Sequence, residues 1–157
     1  MYTIYSIAIP KTYYYSLTLD EIYTLSKKDT LGERIKKLRK QKGYTAKELS
    51  TTIGVTTSGV LGYENNKAYP SRNVIKNLYE IFGDDLLCDE YSRFIIKDYI
   101  SIIESWRRSN NLTKKEAARQ LDMTETFYHQ LLKEKRTLTH SYFNKIKNKL
   151  KEIQLTT

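Results

Sequence analysis

The residues of this chain that could do chemistry are mostly cations and short hydroxyls, and the chemistry open to them is holding an anion. Lys and Arg number 27 against 18 Asp and Glu, a formal net charge of +9. A balance this basic points to an anionic partner, most often nucleic acid. Covalent chemistry has little to work with. No nucleophile–base pair, carboxylate dyad or phosphate-cradling glycine loop appears, so the sequence is not that of an enzyme. Cys88 is the only cysteine, which excludes a disulfide framework within the chain and leaves Cys88 as a small buried apolar residue. His129 and His140 are the only histidines, and no His/Cys/Asp cluster has metal-ligand spacing, so neither a metal nor a cofactor is expected. No apolar run approaches the length of a membrane span. The N-terminus lacks the basic start, apolar core and cleavage site of a secretion signal. The expected location is the cytoplasm, with no membrane partner.

The stretch that must position these groups runs from Leu31 to Phe82 and is expected to form four short helices. Thr30 and Glu33 have the spacing of a capping box, in which two side chains satisfy orphan backbone donors at a helix start. Leu31, Ile35 and Leu38 follow as one apolar stripe, Arg34, Lys36, Lys37, Lys40 and Lys42 occupy the other faces, and Gly43 supplies the stop. A second box, Thr45 with Glu48, opens a helix carrying Leu49 and Ile53 inward and ending at Gly54. Thr56 caps a third helix with Val60 and Tyr63 inward. So tight a connection between two helices is the mark of a helix-turn-helix, here Thr45 to Glu64. Pro70-Ser71 starts a fourth helix with Val74, Ile75, Leu78, Ile81 and Phe82 inside and Gly83 at its end.

Through "LRKQKGYTAKELS", "IGVTTSGV" and "YENNKAYPS", in this order and spacing, the stretch resembles the Cro/C1-type (XRE-like) helix-turn-helix regulators of bacteria and phages. The resemblance implies a lambda-repressor-like helical bundle that docks on double-stranded DNA. It implies a buried salt bridge between Arg39 and Glu64, base-edge positions at Thr57, Ser58 and Gly62, and a phosphate-facing loop at Lys67. With Thr45, Lys47 and Thr56, these are the candidate DNA contacts of the first unit. Two departures stand out. Ala46 sits where the family often has a Gln, and the third helix has no Arg, Lys, Asn or Gln on its reading face, the side chains that normally make bidentate base contacts. Gly59 and Gly62 instead each cost that helix up to about 1 kcal/mol relative to Ala.

Outside this unit, "YTIYSIAIP" reads as a strand ending at Pro10, followed by a short helix capped by Thr18 and Glu21. This extension, residues 1–28, lies beyond the resemblance; its tyrosines suit packing or contact with a second copy more than stacking on bases. "GDDLLCDEY" is the most acidic stretch and reads as a hinge pointing away from DNA. From Tyr91 one long helix is expected to run to Ser109, its broad apolar surface (Ile95, Ile96, Tyr99, Ile100, Ile102, Ile103, Trp106) packing on two neighbours.

Sliding the chain against itself by 68 residues aligns its two halves without a gap: Arg39 on Arg107, Thr45 on Thr113, Glu48 on Glu116, Ile53 on Leu121, Thr56 on Thr124 and Lys67 on Lys135. Residues 91–155 are therefore expected to form a second, divergent helix-turn-helix domain beside the first at 29–87. The overall class is mainly α, tandem bundles with a short β or irregular N-terminal extension. The copies differ. Glu64 falls on Leu132, which removes the acid expected to partner Arg107, and Gly54 falls on Asp122. The second reading helix is better armed, with Glu125, Thr126 and Gln130 outward, since Gln can pair with adenine and Glu can accept from cytosine. Lys114 replaces Ala46, and Lys133, Lys135 and Arg136 follow the helix as a phosphate-facing loop does. His129 is expected at the surface, and Lys145, Lys147, Lys149 and Lys151 on a solvated face.

The function expected is a sequence-specific, double-stranded DNA-binding transcriptional regulator, bacterial or phage-borne and a repressor before an activator. Its two units read two half-sites, or one reads while the chain forms a homodimer. The alternative is a module that uses the fold to bind a protein partner, as an antitoxin-like or modulator protein would.

Overall fold

The computed structural model describes residues 18–155. The strand expected at residues 2–10 lies outside them. Among the described residues every regular element is helical: α1 Leu19–Ile22, α2 Leu31–Gln41, α3 Ala46–Ile53, α4 Thr57–Glu64, α5 Arg72–Phe82, a 3-10 turn Gly83–Leu86, α6 Glu90–Ile95, α7 Tyr99–Ser109, α8 Lys114–Gln120, α9 Glu125–Leu132 and α10 His140–Leu155.

Capping sets most of the helix starts. Thr30, Thr45 and Thr113 each accept a backbone N–H three residues on, while Glu33, Glu48 and Glu116 reach back to the capping residue. Thr56 and Thr124 cap α4 and α9 by the single bond to Gly59 and Phe127. The chain leaves helices through left-handed residues, and these recur 68 positions apart: Gly43 and Asn111, Gly54 and Asp122, Asn66 and Glu134, all with φ between 52° and 73°. Glycine adopts this conformation freely and Asn or Asp at modest cost, whereas Glu is a poor choice. Between α2 and α4 the backbones approach so closely that a Cβ on Gly32 would stand 2.2 Å from the Tyr63 carbonyl oxygen.

Two expectations are corrected. The helix expected over Tyr91–Ser109 is two helices, broken at Ile96–Asp98. Asp98 takes the Ser101 amide and hydroxyl (3.3 and 2.6 Å) and so starts α7 afresh. The carbonyls of Ile95 and Lys97 accept from Arg72. The acidic junction is also not a loose hinge. It contains the 3-10 turn, buries Leu86 and Leu87, and is pinned by Arg34 donating to the Asp85 carbonyl at 2.7 Å.

The core is continuous from the first half to the second. Leu31, Ile35, Leu49, Val60, Ile75 and Leu78 fill the first bundle, and Tyr99, Ile103, Trp106, Tyr128, Leu131 and Ile146 the second. Tyr63 and Ile81, expected inside, are only half-buried. The halves meet through rings. Tyr69 stacks on His140 at 4.2 Å and meets Tyr91 edge-on at 5.2 Å, and Phe94 lies 5.2 Å from Phe143. Tyr91 donates its hydroxyl proton to the Leu138 carbonyl at 2.6 Å. Among the described residues no helix is long and apolar enough to cross a membrane, and no group of His, Cys, Asp and Glu could hold a metal.

Candidate nucleic-acid interface

The turn between α3 and α4 is built by Gly54 at φ 72° and closed by the Val55 amide on the Ser50 carbonyl at 3.0 Å. Its companion between α8 and α9 uses Asp122 and the Met123 amide on the Ala118 carbonyl at 2.8 Å. Each turn leaves one face of the following helix open to solvent. On α4, Thr57, Ser58 and Leu61 are exposed and Gly62 half-exposed; on α9, Glu125 and Thr126 are exposed and Gln130 half-buried. No described residue covers either surface.

The hydroxyls are less free than their exposure suggests. Thr45 gives its proton to Glu48 at 2.8 Å, Thr56 shares a hydrogen bond with Ser58 at 3.0 Å, and Thr57 lies 3.3 Å from the buried Ser50 hydroxyl. Thr45 and Thr56 therefore place backbone more than they offer a side chain. Glycine at position 62 is not demanded by packing, since a Cβ there would meet nothing within 4 Å, whereas at Gly59 it would press on the Thr56 hydroxyl at 3.3 Å. Glu125 lies 3.8 Å from His129 on the same face, and His129 is partly exposed as expected.

Two sets of cations contrast. Lys47, Lys67, Lys114, Lys133, Lys135 and Arg136 are exposed and form no ion pair with any described residue. All lie at the start of α3 or α8, or in the turns after α4 and α9. On α10, by contrast, Lys147 and Lys151 pair with Glu90, and Lys149 with Asp122, so three lysines expected on a solvated face are engaged.

Each face is backed by an ion pair, buried in the first half and half-buried in the second. Arg39 and Glu64 form the expected pair, Nε to Oε1 and Nη2 to Oε2 at 2.9 Å, with both side chains almost wholly buried; a further N–H goes to the Tyr44 carbonyl at 2.8 Å. The hydrogen bond to Glu64 pushes the Arg39 guanidinium further up. In the second half Arg107 makes the equivalent bond to the Leu112 carbonyl at 2.8 Å, but its acid comes from within its own helix: Glu104, at 3.0 and 2.9 Å. The Tyr128 hydroxyl donates to the same carboxylate at 2.8 Å. Arg107 first, and Tyr128 after it, hold the Glu104 carboxyl below the usual range, while burial and then Glu104 push the Tyr128 phenol up.

Sequence reasoning missed this substitution, although a Glu and an Arg three apart at 104 and 107, with a tyrosine aligned on Val60, were its signal. It also missed Leu61, 44% exposed in the middle of the candidate reading face. Arg72, buried at the start of α5, left no signal.

A family model described as "Helix-turn-helix domain" matches residues 32–87. The chain is 32% identical over 110 residues to the "SPbeta prophage-derived uncharacterized HTH-type transcriptional regulator YonR" of Bacillus subtilis (strain 168), an alignment covering 66% of this chain and 94% of that protein. It is 37% identical over 70 residues to a "Putative HTH-type transcriptional regulatory protein" of Sulfolobus acidocaldarius, and 32% over 67 residues to one of Sulfurisphaera tokodaii, covering 45% and 43% of this chain. The alignments span only 21% and 23% of those two archaeal relatives. No solved structure matches the chain.

Proposed function

The chain belongs to the helix-turn-helix family of transcriptional regulators, and from that premise we propose that it is a Cro/C1-type repressor, bacterial or phage-borne and cytoplasmic, that reads double-stranded DNA through two tandem units. The observation that carries this reading is the company each reading helix keeps. Around α4 and around α9, cations without acidic partners lie at the start of the preceding helix and in the following turn, on either side of a helix with an uncovered face, the arrangement that neutralises phosphates on both sides of a major groove. The prophage origin of the Bacillus relative supports the phage-borne form.

The two units divide the work unequally. Lys47 and Lys67 hold phosphates for the first, and Lys114, Lys133 and Lys135 for the second, so most affinity is electrostatic. Glu125, Thr126 and Gln130 supply polar readout on α9. On α4 the reader is apolar: Leu61, exposed beside the open space over Gly62, is suited to the methyl group of thymine. Replacing thymine by uracil in a selected duplex removes only that methyl. Weaker binding at one position, abolished by Leu61→Ala, supports the reading; unchanged binding at every position removes Leu61 from it.

A salt titration on random-sequence duplex tests the whole. Binding falls log-linearly with salt, and Lys47→Ala with Lys67→Ala lowers the slope by about 1.8, at about 0.9 per phosphate contact. A flat response refutes DNA docking. The second reading, docking of a protein partner on α4, is favoured by the exposure of Leu61 alone. Capture of a partner that survives nuclease treatment and is lost in Leu61→Ala separates the two.

A further inference from the structure

Arg72 is the first residue of α5 and only 7% exposed. A cation at a helix N-terminus works against the helix dipole, and a buried guanidinium is costly unless its donors are met. Helix stability therefore does not account for it, and its contacts do. Its Nε donates to the Ile95 carbonyl at 3.1 Å and its Nη2 approaches the Lys97 carbonyl at 3.4 Å, the open end of α6. Its guanidinium lies 4.9 Å from the centre of the Tyr99 ring, at the first residue of α7, and its Nη1 stands 3.6 Å from the carboxylate of Glu134, an exposed side chain.

The chain positions of these groups give them meaning. Arg72 closes the loop that leaves α4, and Glu134 sits two residues past the end of α9. One side chain thus spans the loops that follow both candidate reading helices. Each loop is braced by one further contact: Tyr69, in the loop after α4, stacks on His140 at the start of α10, and Leu138, in the loop after α9, accepts from the Tyr91 hydroxyl of α6. A flexible linker lets two binding modules find sites at many separations. A buried, planar fork holding several groups at once does not.

We propose that Arg72 is a positioning residue for spacing: it fixes α4 relative to α9, so that the protein accepts paired DNA half-sites at one separation only. The proposal rests on the reading that both helices enter DNA. One added base pair rotates the second half-site by about 35° and shifts it by about 3.4 Å, more than a rigid pair of reading helices can follow.

The test is selection of the full chain against a pool of random duplexes several helical turns long, followed by binding to the enriched sequence with one base pair inserted between its motifs. Arg72→Met keeps the apolar stem and loses the fork; Arg72→Lys keeps the charge and loses the fork. His140→Ala removes the ring that stacks on Tyr69 and meets the buried Tyr91 edge-on at 5.3 Å, and carries the test if the Arg72 variants fail to melt cooperatively. The wild type is expected to enrich two motifs at a single separation and to lose about tenfold or more in affinity on insertion. The variants enrich the same motifs over several neighbouring separations and lose less than about threefold. Variants that keep the single separation overturn the role of Arg72, as does a wild type that pairs motifs at many separations. A wild type that enriches one unpaired motif overturns the two-unit reading beneath it.

Discussion

Tyr128 donates its hydroxyl proton to Glu104 at 2.8 Å and so ties α9 to α7 through the carboxylate that Arg107 also holds. In the first half the corresponding tie is direct, because Glu64 at the end of α4 meets Arg39 of α2. The second half keeps its arginine, moves the acid one turn back along the same helix and fills the gap with a phenol. A two-group bridge in the first half is matched by a three-group one in the second, each holding a candidate reading helix against the first helix of its bundle.

Removing the phenol alone tests that task. Tyr128→Phe keeps the ring in its fully buried site and deletes one hydrogen bond to a charged group. The expected loss is about 1–2 kcal/mol in urea unfolding. A loss confined to the residues of α9 in amide exchange supports the tie; no loss removes it.

Arg39 and Glu64 predict a larger effect. Glu64→Gln leaves a guanidinium at 5% exposure without its counter-charge, and a cost of about 3–5 kcal/mol is expected. Replacing both together, Arg39→Met with Glu64→Leu, is expected to recover most of that loss, because a buried pair gains little over an apolar one of similar volume. Thermal melts of the single and double variants make the comparison.

The glycines separate packing from function. Gly32→Ala drives a methyl into the Tyr63 carbonyl oxygen, a backbone atom that cannot yield, and is expected to unfold the first bundle. Gly62→Ala meets open space in a helix and is expected to stabilise by up to about 1 kcal/mol. If Gly62→Ala is more stable yet binds DNA more weakly, the glycine is kept for close approach to the duplex.

Much of this was legible in the chain before any coordinates. The Thr-x-x-Glu boxes, the apolar stripes of α2 and α5 and the Arg39–Glu64 pair are local or family-wide patterns. The offset of 68 aligns left-handed residues as unlike as Gly54 and Asp122. What escaped depends on distant neighbours. Within the stretch expected as one helix, Asp98 caps α7 where Arg72 takes up the carbonyls of Ile95 and Lys97. Arg72 itself lies on a helix whose periodicity leaves it unexplained. Leu61 passed as ordinary because an apolar residue on a helix is expected to be inside.

Acid is expected to loosen the helix starts. The backbone and hydroxyl hydrogen bonds from Thr30, Thr45 and Thr113 hold Glu33, Glu48 and Glu116 below their ordinary value of 4.5. A carboxyl depressed in the folded state contributes stability that is present above its unfolded value and lost as pH falls through the folded one. Helicity by circular dichroism is therefore expected to hold from neutral pH down to about 5 and to decline below 4.5. Thr45→Ala with Thr113→Ala flattens that decline; an unchanged acid limb places the sensitive groups elsewhere.

Two successive bihelical units facing one duplex would leave a double footprint, and hydroxyl-radical footprinting of the full chain on a selected duplex reads it. Two protected stretches about one helical turn apart are expected, the stretch nearer α9 lost in Lys114→Ala with Lys133→Ala and the stretch nearer α4 lost in Lys47→Ala with Lys67→Ala. A single protected stretch, insensitive to one of these pairs, rules the two-unit arrangement out.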